Sequence, residues 1–259
     1  MRADNPAQEA LFLPGGSHGC LLLDGFADAP AHMRRIGEAL NARGYTVSAP
    51  LLYTRGATLR AARASNWRRW LDEARMAYMD LTKKCAGISV IGLSMGGVLA
   101  LILAEKYPVN TLVCLSPAIA PRIALGWAAP AVALVAPRMA WPGADQACAD
   151  GPANASISGR EGRGMAASCV RDMLKLIHLA EQSLFAVVAP TLVIQPLNDR
   201  AVRPNGAVRI LRDISARDKT VMWLKRSGHL CTEDCERELV FDTILKCLSR
   251  TDATKSLAL

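Results

Sequence analysis

Aromatic residues make up only 5% of this 259-residue chain, and it has four histidines. So few aromatics leave little surface on which bases could stack. The 31 lysines and arginines are spread along the chain, so the net charge of +8 reads as a solvated basic surface, and no nucleic-acid partner is expected. No uninterrupted apolar run approaches the ~20 residues needed to span a bilayer, so stable membrane insertion is not expected. The opening MRADNPAQEA lacks the basic-then-apolar order of a secretory leader, which leads to a cytoplasmic expectation. Cysteine is not scarce, at eight residues, but Cys20 and Cys114 lie inside apolar runs, as small buried hydrophobes do in a reducing compartment. Free thiols are therefore expected. His229, Cys231 and Cys235 come nearest to a metal cluster, but their spacing matches no common zinc pattern, so no metal is expected.

What is present is an alternation. Strand-like runs recur at LFL (11–13), CLLLD (20–24), TVSAP (46–50), SVIGL (89–93), TLVCL (111–115), TLVIQ (191–195) and TVMWL (220–224). Helical patterns lie between most of them. Residues 31–43 end at Gly44 as a C-cap, Trp67, Trp70, Leu71, Ala74, Tyr78 and Leu81 follow three- and four-residue steps, and VLALILAE (98–105) reads as a buried helix. Near the end, Thr232 reads as the cap of a helix with Glu233 and Asp234 in its first turn and Val240, Ile244 and Leu248 on one face. Such alternation specifies an α/β fold with a mostly parallel central sheet flanked by helices, built as a single domain over 1–259.

The alternation breaks between Ser116 and Ala189. The first part, RIALGWAAPAVALVAPRMAW, is apolar but broken by Pro130 and Pro137; the middle has loop composition; the last part, SCVRDMLKLIHLAEQSLF, is amphipathic. This is read as a helical cap inserted at about 117–187, with Leu125, Trp127 and Val132, together with Gly25, expected to line a substrate pocket. Plain core and a membrane-surface helix are the alternatives for the first part. His178 on the last helix reads as a packing or surface residue.

SVIGLSMGGVLA (89–100) places Ser94 on the joint between a strand and a helix, with Gly92, Gly96 and Gly97 around it. If Ser94 is held at positive φ on a sharp turn, side chains two residues to either side would strike the strand and helix backbones, and glycine avoids the collision. Such a turn exposes the serine oxygen and leaves the Met95 amide at a helix N-terminus, facing developing negative charge. The competing reading is a Gly-rich helix start with an ordinary N-capping serine.

A serine hydroxyl is a poor nucleophile at neutral pH and needs a base oriented by a carboxylate. His229, in KRSGHLCTED, follows the last strand, and Asp199, in TLVIQPLNDRAV, follows the strand before it. All three residues then reach the same edge of the sheet, in the chain order Ser, Asp, His.

From CLLLDGF to SGHLCTEDCEREL, the chain resembles α/β-hydrolases of the carboxylesterase and monoacylglycerol-lipase kind. In these, a strand leads to an H-G-F turn, followed by a serine elbow, a small helical cap, a late aspartate and an S-G-H histidine. The resemblance implies Ser94 as nucleophile, His229 as base, Asp199 as its partner, and the amides of Phe26 and Met95 as oxyanion donors. It does not carry a substrate with it. One position departs from the pattern: Asp24 stands where the family has histidine. A carboxylate there is expected to modulate activity. It either turns inward to accept hydrogen bonds from loop amides around Phe26–Asp28, the favoured reading, or stays near the oxyanion and opposes it.

The function expected is hydrolysis of a small-molecule carboxylic ester with a medium, largely apolar acyl or alkyl part through an acyl-enzyme, with no cofactor. Two alternatives stay open. One is a thioesterase acting on acyl thioesters of coenzyme A or of an acyl carrier held by arginines such as Arg60, Arg63 and Arg68. The other is a catalytically weak member of the fold that binds a ligand.

Overall fold

A computed structural model of the chain describes residues 9–25, 31–52, 66–122, 138–139 and 165–256. Seven strands form one sheet: β1 (Leu11–Leu13), β2 (His18–Leu23), β3 (Thr46–Ala49), β4 (Gly87–Leu93), β5 (Leu112–Leu115), β8 (Thr191–Pro196) and β9 (Lys219–Leu224). They lie in the order β1-β3-β2-β4-β5-β8-β9, all parallel except that β1 runs antiparallel to β3. The strand-like runs read from the sequence are these seven strands. A two-stranded ribbon pairs β6 (Arg138–Met139) with β7 (Met165–Ala166).

The helices are α1 (Ala31–Asn41), α2 (Trp67–Thr82), α3 (Met95–Lys106), α4 (Ala167–Ser183), α5 (Asn205–Asp213) and α6 (Arg237–Ser256). α1 stops where Gly44 takes φ +88°, a conformation glycine adopts without strain, and the amides of Gly44 and Tyr45 return to the Asn41 and Leu40 carbonyls. α2 starts where Asn66 caps the amides of Arg68 and Arg69 at 3.1 and 3.2 Å. It buries Trp70, Ala74, Tyr78 and Leu81, at the spacing the sequence prescribes.

The sheet separates two cores. On one face Trp70, Leu99, Ile102 and Leu176 bring α2, α3 and α4 together; on the other, Met33, Ile36, Val240 and Ile244 bring α1 and α6 onto the strands. The helix expected at the end of the insertion is thus α4, with Cys169, Met173, Leu176 and Ala180 packed in the α2–α3 core.

The start of α6 differs from the sequence reading. The helix begins at Arg237, not after Thr232. The Asp234 and Glu236 carboxylates turn back to the amides of Gly228 and of 225–227 instead of capping a helix. α5 was not foreseen.

Strand order places the functional edge. From β2 the chain steps outward to β3, then crosses to β4 on the other side of β2 and continues to β5. At such a reversal the connections leave in opposite directions, and a crevice opens at the carboxyl ends of the two central strands. Asp24 and Gly25 follow β2 there, and Ser94 follows β4.

Candidate active site

Ser94 occupies the one-residue joint between β4 and α3, with φ 56° and ψ −115°. A non-glycine residue holds such a backbone only when its surroundings fix it. Its amide donates to the Leu115 carbonyl at 2.8 Å, and its carbonyl accepts from Gly97 and Ala118, each at 3.1 Å. The ordinary N-cap alternative does not describe it, because the Ser94 side chain makes no cap hydrogen bond.

The glycines act by close approach. A Cβ on Gly92 would overlap the Gly96 carbonyl, and one on Gly96 would overlap the Leu23 carbonyl and sit 2.6 Å from that of Asp24. α3 therefore starts against the backbones of β4 and β2, nearer than any side chain permits. A Cβ on Gly25 would stand 3.4 Å from the Ser94 Cβ and 3.9 Å from its Oγ, so this glycine keeps the space beside the hydroxyl open. Met95 is the first residue of α3, and amides of a first helical turn have no partner within the helix. Phe26, the other expected oxyanion donor, lies outside the described residues, as do Leu125, Trp127, Val132, Arg60 and Arg63.

Three expected residues come together. His229 Nε2 lies 2.9 Å from Ser94 Oγ, and His229 Nδ1 lies 2.8 Å from Asp199 Oδ2. Asp199, His229 and Ser94 are 2%, 3% and 8% exposed, so the chain of hydrogen bonds runs through a nearly dry region where electrostatic interactions are strong. Asp199 Oδ1 accepts from the amides of Ala201 and Val202 at 2.8 and 2.9 Å, which leaves Oδ2 facing the imidazole. Gln195 Nε2 adds a donor to Oδ2 at 3.4 Å.

Neighbouring residues that sequence reasoning passed over hold these loops. Arg122 Nε donates to the Asp199 carbonyl at 3.2 Å, and its amide bonds the Ala201 carbonyl, fastening the aspartate loop to the chain beyond β5. Ser116 Oγ donates to the His229 carbonyl at 2.8 Å. Glu236 Oε2 accepts from the Ser227 amide and hydroxyl, each at 2.8 Å, and Asp234 Oδ2 from the Gly228 amide at 2.7 Å. The acidic run TEDCERE just after S-G-H was the one signal available for the last two.

Asp24 is buried and turned inward. Its Oδ1 accepts from the Gly25 amide at 2.6 Å and its Oδ2 from the His32 amide at 3.2 Å, with His32 Nδ1 3.3 Å from Oδ1. His178 sits on the exposed side of α4, 3.0 Å from Gln182. The Arg68 guanidinium stacks 4.6 Å above the Trp67 ring. Among the described residues no helix is long and apolar enough to cross a membrane.

A doubly flanked parallel sheet with a serine on a strained strand-to-helix turn, next to an aspartate and a histidine that follow the last two strands of the sheet, is the architecture of an α/β-hydrolase. The family model described as "Serine aminopeptidase, S33" (Hydrolase_4) matches residues 17–236, and the chain belongs to that family. It is 27% identical over 246 residues to a thermostable monoacylglycerol lipase of Bacillus sp. strain H-257, with 92% of this chain and 93% of the lipase covered. It is 26% identical over 246 residues to a carboxylesterase of Bacillus subtilis strain 168, covering 92% and 95% of the two chains. Among solved structures it resembles one of the metagenome-derived lipolytic enzymes LipS and LipT, with a TM-score of 0.78, 25% identity and 95% and 98% of the two chains covered.

Proposed function

We propose that the protein is a serine esterase that cleaves carboxylic esters with a medium, largely apolar acyl or alkyl part through an acyl-enzyme. The observation that carries this reading is the buried chain from Ser94 through His229 to Asp199, with contacts of 2.9 and 2.8 Å. The family description names a peptidase, whereas the two Bacillus relatives described above are named as ester hydrolases, which favours ester over amide.

In this mechanism Ser94 Oγ attacks the ester carbonyl carbon and its proton passes to His229 Nε2. Asp199 holds the imidazole through Nδ1 and stabilises the imidazolium. The carbonyl oxygen becomes an oxyanion facing the Met95 and Phe26 amides. Its collapse breaks the bond to the alkoxy oxygen, which leaves as the alcohol with the proton from His229. Water, deprotonated by His229, then attacks the acyl-enzyme and releases the acid and Ser94. Only the chain's own groups and water enter these steps.

The apolar preference is supported by IALGWAAPAVALVAP, which continues directly from Arg122, itself bonded to the aspartate loop. We place the cap within the insertion at 117–187, in the part that precedes α4, and the acyl-lining residues Leu125, Trp127 and Val132 within it. A cytoplasmic setting suits the free thiols of Cys20, Cys85, Cys114, Cys169, Cys231, Cys235 and Cys247.

The test is labelling with a fluorophosphonate, combined with turnover of p-nitrophenyl esters of graded chain length, a coenzyme A thioester and an aminoacyl amide. Wild type is expected to be labelled and to prefer the oxygen esters. Ser94→Ala should lose labelling and at least ~10⁴-fold in kcat, and Asp199→Asn somewhat less. Full turnover in a pure Ser94→Ala preparation would end the proposal. Preference for the thioester or the amide would reassign the substrate.

A further inference from the structure

β5 lies between the strand that leads to Ser94 and the strand that leads to Asp199, and it ends at Leu115. The next residue, Ser116, is fully buried and holds φ 43°. Among the described non-glycine residues it shares a positive φ only with Ser94. A glycine would take this conformation without strain, yet the position carries a hydroxyl.

That hydroxyl donates to the backbone carbonyl of His229, 113 positions away, at 2.8 Å. The rest of the turn reaches the other two members. The Ser116 amide donates to Ile194 of β8 at 2.9 Å, five residues before Asp199. The Leu115 carbonyl accepts the Ser94 amide at 2.8 Å, and the Ala118 amide donates to the Ser94 carbonyl at 3.1 Å. Three residues of the turn 115–118 thus set the backbone heights of the nucleophile, the acid strand and the base. Asp234 and Glu236 hold the histidine loop at Gly228 and before it. Ser116 grips the main chain of His229 itself.

The positive φ has a geometric consequence. Along a regular strand, side chains stand above or below the sheet. Turning the backbone into the left-handed region at the strand's last step swings the Ser116 side chain off that register, and there it meets the His229 carbonyl. Cys231 Sγ lies 3.8 Å from the same hydroxyl. Burial pushes its thiol up to about 12, so it stays neutral and offers only a weak acceptor beside the carbonyl.

We propose that Ser116 is a positioning residue for ester hydrolysis: its hydroxyl fixes the His229 main chain so that the imidazole reaches Ser94 and Asp199 at once. This rests on the assignment of those three residues above. Ser116 does not touch the reacting atoms, and its effect is on how the base is held. Losing the grip frees the ring to move toward solvent by a fraction of an ångström or more. A misplacement of about 1 Å can cost ~100-fold in rate.

The experiment compares wild type, Ser116→Ala, Ser116→Gly and Ser116→Cys on p-nitrophenyl butyrate, with active sites titrated by a fluorophosphonate. The rate of fluorophosphonate labelling and the melting temperature are read alongside. Ser116→Ala is expected to lose about 10- to 100-fold in kcat per titrated site, with KM changed less than ~3-fold, and to be labelled more slowly by the same factor. Ser116→Gly removes both the strain and the hydroxyl. It should therefore melt no lower than Ser116→Ala yet be equally slow. Ser116→Cys, which keeps a weak donor, should recover part of the loss.

The split between kcat per titrated site and KM supplies a readout that a purely structural role would not move. A base set slightly out of reach slows the attack without weakening binding, so kcat of Ser116→Ala should fall while KM stays nearly unchanged. Wild-type kcat per site in Ser116→Ala overturns the proposal. So does full activity in Ser116→Gly, which would make backbone strain the determining property. If wild type itself is not labelled, both this proposal and the esterase reading fail. If wild type is labelled and Ser116→Ala is labelled as fast, this proposal fails alone.

Discussion

At Asp24 a carboxylate close to a developing oxyanion would raise the barrier, yet the contacts direct it elsewhere. Both oxygens are occupied by donors, the Gly25 amide and the His32 amide at the N-terminal turn of α1, where the helix dipole favours negative charge. Asp24 therefore acts as a remote cap that joins the end of β2 to α1. Asp24→Ala is expected to cost about 1–2 kcal/mol in stability, the usual range for a lost cap. It should also lower kcat by about tenfold as the turn after β2 loosens. Asp24→Asn keeps an acceptor and should cost less of both. A pH–rate profile of Asp24→Asn on an activated ester checks this: a gain over wild type that grows with pH would mean the carboxylate opposes the oxyanion after all. Legibility in the sequence divided along the same line. Ser94, Asp199 and His229 were readable because each follows a strong strand at the same edge. Asp24 facing inward followed from its being a short acceptor in a glycine-containing turn. Its partner His32 did not, because nothing in ADAPAH shows how α1 approaches β2. Ser116 looked like a strand end, since a positive φ at serine leaves no mark in composition.

At the level of elements, the strands were the most legible and the helix starts the least. Buried parallel strands announce themselves as short β-branched and leucine-rich runs. α5 was missed because Asn205–Gly206 reads as a turn and its nine residues bury only Gly206, Ala207 and Ile210. The Thr232 cap was misplaced because acidic residues that suit a first helical turn also suit a loop full of unpaired amides. Glu236 has this second role, and its titration provides a test. Partial burial raises its pKa, but hydrogen bonds from the Ser227 and Arg226 amides, the Ser227 hydroxyl and the Lys225 amide outweigh burial and hold it below the ordinary value. A carboxyl with a depressed folded-state pKa stabilises fully above its unfolded value, about 4.3, and loses that contribution as pH falls through the folded value. The clamp on the histidine loop is thus intact at neutral and alkaline pH and released only in acid. Glu236→Gln should be less stable than wild type by about 0.5–1 kcal/mol at pH 7, a value discounted for solvent screening. That gap should close as pH drops below about 4. Melting temperatures of both proteins from pH 7 to 3 measure it, and a gap independent of pH would show that the charge plays no part in the clamp.

For the whole molecule, alternation of strand and helix specified a mostly parallel sheet, but not the order in which the strands lie. That order depends on which way each crossover turns. Right-handed crossovers place helices of one travel direction on one face and those of the reverse direction on the other. Reversal between β2 and β4 therefore creates both the crevice and the two cores: α2, α3 and α4 on one face, α1 and α6 on the other. The site is then a property of the sheet's central edge, while much of the stability comes from cores beneath it. Trp70 separates these two contributions. It is fully buried on α2 in the core shared with α3 and α4, and among the described residues the hydrogen bonds given for Ser94, Asp199 and His229 come from elements other than α2. Trp70→Ala should cost about 3–5 kcal/mol, combining lost apolar transfer with the cavity left behind, and Trp70→Leu should cost less. Urea unfolding at pH 7 measures the loss. In the same samples below the transition, fluorophosphonate labelling per folded molecule should match wild type, because the edge of the sheet is held by its own turns. A loss under 1 kcal/mol would show that α2 contributes little to that core. A labelling rate that falls in step with stability would show that the edge and the core beneath it are one cooperative unit.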